Sequence, residues 1–414
     1  MKLLRHILLC CLLAFAAGGR AQQDTLRLDS LRASLLTITP GQDSYSLYGH
    51  TALRISNAGS LDFVFNYGAF SPDAENFLWK FALGRTDYTL VVERTKDVMM
   101  WYTAEGRYVI EQHLDMRPEE VRRLFDAMRR DATTPGWTYR YTFLTDNCAT
   151  RPVGLLEGAL GTTLQWREDT PPATFRQLIH RHVLPRHAWS SFGQDMLLGA
   201  ALDTLVEQRA HVAFPMELLR MMETAEARMT DGSTRRLVLR TDTLNAELMR
   251  AMNIETEAEN AWAARLTSPL ALAILLLLLL ALASLLQLRH RPRMAVVTDT
   301  AWMGVQTLVG LVVWFEFLFS SLPGVGSNCL ALLFTPLPLV AWGAGWLKRK
   351  WGGRSFYMAC VQLVMTLAFT LAWGITGQGV PPAIAVLALS LLIRSLTELH
   401  CRRNGFTTKQ TKTR

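Results

Sequence analysis

Two kinds of hydrophobic pattern divide the chain. From residue 22 to about 265, apolar positions are short, periodic and interleaved with charges; after Ser268, long apolar runs take over. That shift separates a water-exposed domain from a membrane region. The runs read as spans over 268–288, 302–321, 328–346, 356–376 and 381–397. Each meets or approaches the roughly 20 apolar residues that a bilayer core requires. In the first part, Tyr48 to Ile55 alternate like a strand, Asn57-Ala58-Gly59 supplies a turn, and Leu61 to Tyr67 read as a second strand, so a hairpin is expected. Residues 115–131 place Val121, Leu124, Phe125 and Met128 on one face of a helix with Pro118 at its start. Helices are also expected over 174–182, 194–209 and 215–229, a strand over 234–244, and a polar helix over 246–262 leading to the membrane. The fold class is therefore α+β: a small antiparallel sheet bearing His50, packed by a helix carrying Cys148, with a helical extension. An α-helical bundle of about five spans follows it.

Charge adds the topology. Lys2 and Arg5 precede the apolar stretch from Ile7 to Ala17, and small residues run to Ala21, as in a signal peptide over 1–21. Arg289, Arg291 and Arg293 follow the first span, Lys348, Arg349, Lys350 and Arg354 the third, and Arg402, Arg403, Lys409, Lys412 and Arg414 the fifth. The loops after the second and fourth spans carry no charge. The positive-inside rule puts all three basic clusters in the cytoplasm. Residues 22–265 then lie outside, residues 266–400 form the bundle, and the basic tail 401–414 is cytoplasmic. The net charge of +8 thus reflects topology and lipid headgroups, and no nucleic-acid partner is implied.

Of six cysteines, Cys148 alone lies in the exported domain, so it has no internal disulfide partner. A lone cysteine is ordinarily a buried filler. Here Asp146 or Asn147 is a good helix N-cap, and Pro152 is tolerable only near a helix start, so Cys148 is expected in the first helical turn. The helix dipole would favour the thiolate there, and free backbone N–H groups could hold an oxyanion. His50 is the candidate base. Closing the hairpin sets it opposite Asn66 or Tyr67, which makes Asn66 the candidate orienter of the imidazole; Asp62 falls nearer the turn. His180, His182 and His187 lack a spaced acidic ligand, and no His-Glu-x-x-His run exists, so neither metal nor cofactor is expected. Asn147 and Tyr48 flank the catalytic pair, with capping and packing as their ordinary roles. Arg151, three residues past the nucleophile, suits a phosphate or headgroup, and equally a surface ion pair. Ser321 and Asn328 lie at the outer face of the bundle, where the exported domain must dock. Phe77 to Phe81 read as a core segment, with a membrane-facing edge as the alternative.

The order of His before Cys resembles circularly permuted NlpC/P60 proteins, including the lecithin:retinol acyltransferase-like enzymes, and implies a permuted papain-like fold. More specifically, Tyr48-Gly49-His50-Thr51-Ala52-Leu53-Arg54-Ile55, Phe65-Asn66-Tyr67-Gly68 and Asp146-Asn147-Cys148-Ala149-Thr150-Arg151-Pro152 resemble the Lnb family. So do Ser191-Phe192-Gly193-Gln194-Asp195, Phe214-Pro215 and the Ser320-Ser321-Leu322-Pro323 loop, although Leu322 stands where the family pattern has His. The family comprises lipoprotein N-acyltransferases of certain Gram-negative bacteria. The resemblance implies an inner-membrane protein whose Cys148, activated by His50, takes an acyl chain from a phospholipid as a thioester. The acceptor would be the α-amino group of a lipoprotein's N-terminal diacylglyceryl-cysteine. The resemblance does not set an oligomeric state. The alternatives are a membrane-anchored cysteine peptidase or amidase acting on cell-wall or peptide substrates, and a non-enzymatic receptor or scaffold with Cys148 buried.

Overall fold

A computed structural model describes residues 30–404 apart from 59–60, 72, 167–169, 185, 229–231, 253–264, 290, 292 and 338–353. The signal peptide, most of the expected polar helix over 246–262, much of the third span and the basic tail lie outside the described residues.

The first part is built on a seven-stranded antiparallel sheet, larger than the sequence pattern implies. Its strands are β1 (Arg32–Ile38), β2 (His50–Ser56), β3 (Asp62–Ala69), β4 (Asp87–Arg94), β5 (Val109–Leu114), β6 (Tyr139–Arg140) and β10 (Val238–Thr243), in the order β10-β5-β1-β2-β3-β4-β6. Leu35, Leu53, Ile55, Phe65 and Tyr67 project from one face, under α3 (Pro118–Thr133) and α4 (Thr150–Leu160). Helix α3 keeps its expected apolar stripe, with Val121, Leu124 and Met128 buried, and Glu120 caps its start by accepting the Arg117 N–H at 2.7 Å. Leu36, Ile38, Ala52 and Val64 project from the opposite face, where Val98 of α2 (Thr95–Ala104) covers them. The short helix α1 (Phe77–Ala82) precedes β4 and buries none of its residues.

The helical extension departs from its sequence pattern. After α5 (Phe175–Val183), helix α6 (Ala188–Leu197) stops before Gly199, and only two short 3-10 turns follow, where a helix over 194–209 is expected. The chain straightens there because Gly199 lies against another backbone: a Cβ on it would come within 2.1 Å of the Gly326 carbonyl oxygen. Helix α7 (Pro215–Met222) also ends early, and β7 (Leu164–Gln165), β8 (Glu226–Arg228) and β9 (Thr234–Arg236) make a second, three-stranded sheet. The strand expected over 234–244 is thus split between two sheets at Leu237.

Past α8 (Ala246–Ala251), four helices among the described residues are long and apolar enough to cross a membrane: α9 (Pro269–Leu288), α10 (Arg293–Phe319), α12 (Arg354–Thr376) and α13 (Pro382–Arg403). In place of a complete third span over 328–346, the described residues hold only α11 (Leu330–Leu333). A buried lock joins α9, α10 and α13. Arg394 binds Asp299 through both terminal oxygens, at 2.8 and 2.6 Å, and donates to Ser284 Oγ and Gln287 Oε1 at 3.0 and 2.9 Å. Arg394→Leu leaves Asp299 without its cation and takes a donor from Ser284 Oγ and Gln287 Oε1, which keep their bonds to Leu280 O and Glu398. It is expected to lower bundle stability by on the order of 2 kcal/mol, seen as a lower midpoint of thermal unfolding in detergent.

Candidate active site

Asn147 organises the turn that presents Cys148. Its Oδ1 accepts the N–H groups of Ala149 and Thr150 at 2.8 and 3.0 Å, and its Nδ2 donates to the carbonyls of Phe143 and Ala213 at 2.7 and 2.8 Å. Four hydrogen bonds commit a side chain that is fully buried. The expected cap is therefore present, but Cys148 sits in the closed turn just before α4 rather than inside the helix. The oxyanion expectation needs correction too: the first helical N–H groups, and Asn147 itself, are taken up by the cap.

The sulfur faces other donors. The backbone N–H of Thr51, the Tyr141 hydroxyl and the backbone N–H of Cys148 lie close enough to it to favour the thiolate. Burial pushes the thiol above its ordinary range, and these donors, with the more distant Arg107 charge, only partly pull it back. Strands β2 and β3 pair from Ser56↔Asp62 to Leu53↔Phe65 and no further, although both continue. Cys148 enters at that opened end. Gly68, at φ +92°, makes room: a Cβ there would touch Cys148 Cβ at 3.4 Å and the Tyr141 ring at 3.3 Å.

His50 begins β2, one residue before the Thr51 N–H that faces the sulfur. Extending the hairpin register places it across from Gly68, so Asn66 is its diagonal neighbour on the same face. His50 Nε2 lies 3.2 Å from Asn66 Oδ1, and Asn66 Nδ2 donates to Glu93 Oε2 at 2.7 Å. A carboxylate only accepts, so Glu93 fixes the orientation of the Asn66 amide. The Asn66 oxygen in turn makes Nε2 the protonated nitrogen and leaves the lone pair on Nδ1. Burial holds the imidazole down to about 4, against the opposing Asn66 hydrogen bond and with a smaller contribution from Arg107. Tyr67, the other expected partner, turns to the opposite face and donates to Asp131 at 2.8 Å. The geometry is a row Glu93–Asn66–His50 across three strands, and Thr51, next to His50 in the chain, turns its N–H to the buried thiol.

With this arrangement in hand, comparison with known proteins decides the family. Residues 19–181 match the Lnb N-terminal periplasmic domain, and residues 259–404 match the Lnb transmembrane domain. The chain belongs to the Lnb family. No curated protein and no solved structure matches it. The protein is accordingly a membrane protein with a periplasmic domain, and family membership suggests an enzyme.

Other residues of the periplasmic domain fall into place around this pair. Tyr48 packs between Phe143 and Phe214, at centroid distances of 4.8 and 5.7 Å, and donates its hydroxyl to Gln194. Arg151 is not free for a headgroup. It holds Asp146 at 2.9 and 2.5 Å and lies 3.8 Å over the Tyr139 ring. Ser321 and Asn328 sit far from the thiol in sequence and serve the joint with the bundle: Ser321 Oγ donates to Leu83 O at 2.8 Å, and Asn328 Nδ2 to Met196 O at 2.9 Å. His180 leans on Asp195 at 2.8 Å, and among the described residues no group of His, Cys, Asp and Glu could hold a metal ion. Glu93 and Arg107 carry no signal in the sequence, and Tyr141 stands there only in the family-like stretch Tyr141-Thr142-Phe143, with no role of its own. Glu93 lies in a stretch without a recognisable strand pattern, and Arg107 reaches the site from the turn after α2, anchored on Thr39 O at 2.7 Å.

The electrostatics predict a neutral thiol beside a neutral imidazole at neutral pH. Alkylation of Cys148 by iodoacetamide, followed by peptide mass, is expected to accelerate as pH rises past neutrality, with no acidic plateau. Stability carries the complementary sign. Between the ordinary histidine value of 6.5 and about 4, the unfolded chain binds the extra proton at His50, so this contribution is lost as pH falls through that window.

Proposed function

We propose that the protein is an inner-membrane lipoprotein N-acyltransferase in which Cys148 is the nucleophile, His50 the base and Asn66 its orienter. His50 Nδ1 takes the thiol proton as Sγ attacks a phospholipid ester carbonyl. The ester C–O bond then breaks, and the proton passes to the departing lysophospholipid oxygen. The acyl chain remains as a thioester on Cys148. The α-amino group of a lipoprotein's diacylglyceryl-cysteine attacks that thioester, His50 takes the amine proton, and the sulfur leaves to be reprotonated. The product is an amide, and the thiol is restored. Tyr141 and the Thr51 N–H, already close to the sulfur, are suited to steady charge that develops beside it.

The observation that carries this reading is the row ending at His50, one residue before the Thr51 N–H that faces a buried thiol set among aromatic rings, in a periplasmic domain docked on membrane helices. A hydrophobic thiol site favours a lipid ester over a hydrated cell-wall peptide, which is the amidase alternative. The His-bearing hairpin preceding the Cys-bearing turn supports a permuted papain-like arrangement. We also read 328–346 as a fifth span and the C-terminus as cytoplasmic, because Arg289, Arg402 and Arg403 lie at helix ends remote from the periplasmic domain.

The test mixes purified protein, phospholipid vesicles and a synthetic diacylglyceryl-cysteine peptide with a free N-terminus. The expected product is the peptide heavier by one acyl chain, with lysophospholipid in equal amount. An unchanged peptide sinks the proposal, and a shortened one supports the amidase.

A further inference from the structure

Helix α1 is apolar and yet exposed. Leu78 is 79% exposed, Trp79 59% and Phe81 49%, which corrects the expectation of a core segment. A patch of this kind on a protein surface marks a site of contact with another apolar phase. What that phase is follows from where α1 sits. Leu83 O, just past the helix, accepts both the N–H and the Oγ of Ser321, at 3.1 and 2.8 Å. Ser321 is two residues past the end of α10. The Trp79 ring packs on Phe315 of α10 at 5.1 Å, and Phe315 packs on Phe319 at 5.5 Å. Leu318 and Phe319, at the same end of α10, are themselves exposed, as lipid-facing residues of a span must be. The bare face of α1 therefore continues the lipid-facing surface of a membrane helix at its periplasmic end. Lys80 and Arg85 are exposed beside it, where phosphate headgroups lie.

On its other side, α1 leads inward. Phe77 stacks on Phe70 at 5.2 Å, Phe70 meets Tyr88 at 5.2 Å, and Tyr88 stacks on Tyr141 at 4.2 Å. Tyr141 and Cys148 both close on Gly68, where an added Cβ would meet the Tyr141 ring at 3.3 Å and Cys148 Cβ at 3.4 Å, so the last ring of the row stands beside the nucleophile. An unbroken aromatic row thus runs from the membrane-facing helix to the nucleophile.

We infer that α1 is seated in the outer leaflet of the membrane and that the row from Phe77 to Tyr141 is the wall along which a phospholipid acyl chain reaches Cys148. The first half stands on the surface alone; the second rests on the acyltransferase reading. A photo-crosslinking amino acid at Leu78, in full-length protein in phospholipid nanodiscs, tests the first half. Lipid adducts are expected at 78 and not at Leu239, an exposed leucine on β10. No adduct at 78, or equal adducts at both, overturns the seating. Adducts should persist with Cys148→Ser, so loss of the enzymatic reading would leave this result standing. For the second half, Leu78→Asp combined with Phe81→Asp should raise the apparent KM for vesicle phospholipid by about tenfold. Iodoacetamide labelling of Cys148 should be unchanged. An equal loss with a water-soluble thioester donor would overturn the acyl-chain path.

Discussion

Cys148→Ser is expected to slow acyl transfer from phospholipid by about 10⁴-fold or more, read as the rate of mass gain on the acceptor peptide. The site explains why the loss should be this severe. A serine hydroxyl releases its proton far less readily than a thiol, and the base available to it is weak, because burial holds His50 down to about 4. That imidazole assists only a proton that is already leaving, which a polarisable thiol permits and a buried hydroxyl does not. His50→Ala should fall into the same range. Combining the two should cost little more than either alone, because the proposed mechanism has nucleophile and base act as one unit. Asn66→Ala and Glu93→Gln act one and two steps away. They loosen the tautomer that puts the lone pair on Nδ1, so losses of about 10- to 100-fold are expected. A Glu93→Gln enzyme at full rate would show that a neutral carbonyl at 93 accepts from Asn66 as well as the carboxylate does. Retained activity with Cys148→Ser would remove the thioester from the mechanism.

Gly199→Val should abolish activity toward membrane donors almost as completely without touching the site. A Cβ at Gly199 would lie 2.1 Å from Gly326 O, 2.9 Å from Ser327 C and 3.0 Å from Asn328 N. All three are backbone atoms of a loop that cannot swing aside. Around this contact the periplasmic domain and the bundle are hydrogen-bonded main chain to main chain, Gly199 N donating to Gly324 O at 2.7 Å and Ala200 N to Ser327 O at 3.2 Å, and the Gln378 side chain adds a bond from Nε2 to Leu198 O at 3.2 Å. Arg176 stiffens the ledge from beneath. It is buried, pairs with Asp195 and Asp203 at 2.6 and 2.8 Å, and donates to the carbonyls of Leu198 and Gly199. A side chain at 199 must therefore push the two parts apart. The expected outcome is a loss of at least about 100-fold with vesicle phospholipid, with Cys148 still alkylated at the wild-type rate. Gly158→Ala is the control: it lies in α4, nothing meets its Cβ, and it should be neutral or slightly stabilising.

Elements carried by local pattern were the ones legible in the sequence. The hairpin of β2 and β3 has strict alternation and a turn, α3 has a clear apolar stripe, and the membrane runs exceed any other signal. The hairpin alone narrowed the partner of His50 to Asn66 or Tyr67, and the register that makes Asn66 its diagonal neighbour came from the structure. What stayed hidden depends on distant chain segments. Glu93 becomes a partner of Asn66 only because β4 pairs with β3, and β4 bears exposed Val91 and Val92, which blur its alternation. Helix α6 ends at a glycine whose reason to exist lies more than a hundred residues downstream. Phe77 to Phe81 read as core because aromatic runs usually are. The exception comes from the end of α10, which no window on residues 70–90 contains.

The joint between Gly199 and the 324–328 loop also sets an order of events during synthesis. The periplasmic half is made first, and its counterpart emerges roughly 120 residues later, about 6 to 24 seconds at ordinary elongation rates. During that interval the ledge at Gly199 and the bare face of α1 wait without their partners, held only near the membrane through which the rest of the chain must still be threaded. Newly made molecules should therefore pass through a sticky, half-assembled stage. Variants that weaken the joint would lengthen it, and would show as poor yield and proteolysis in the periplasm before any defect in catalysis is measured.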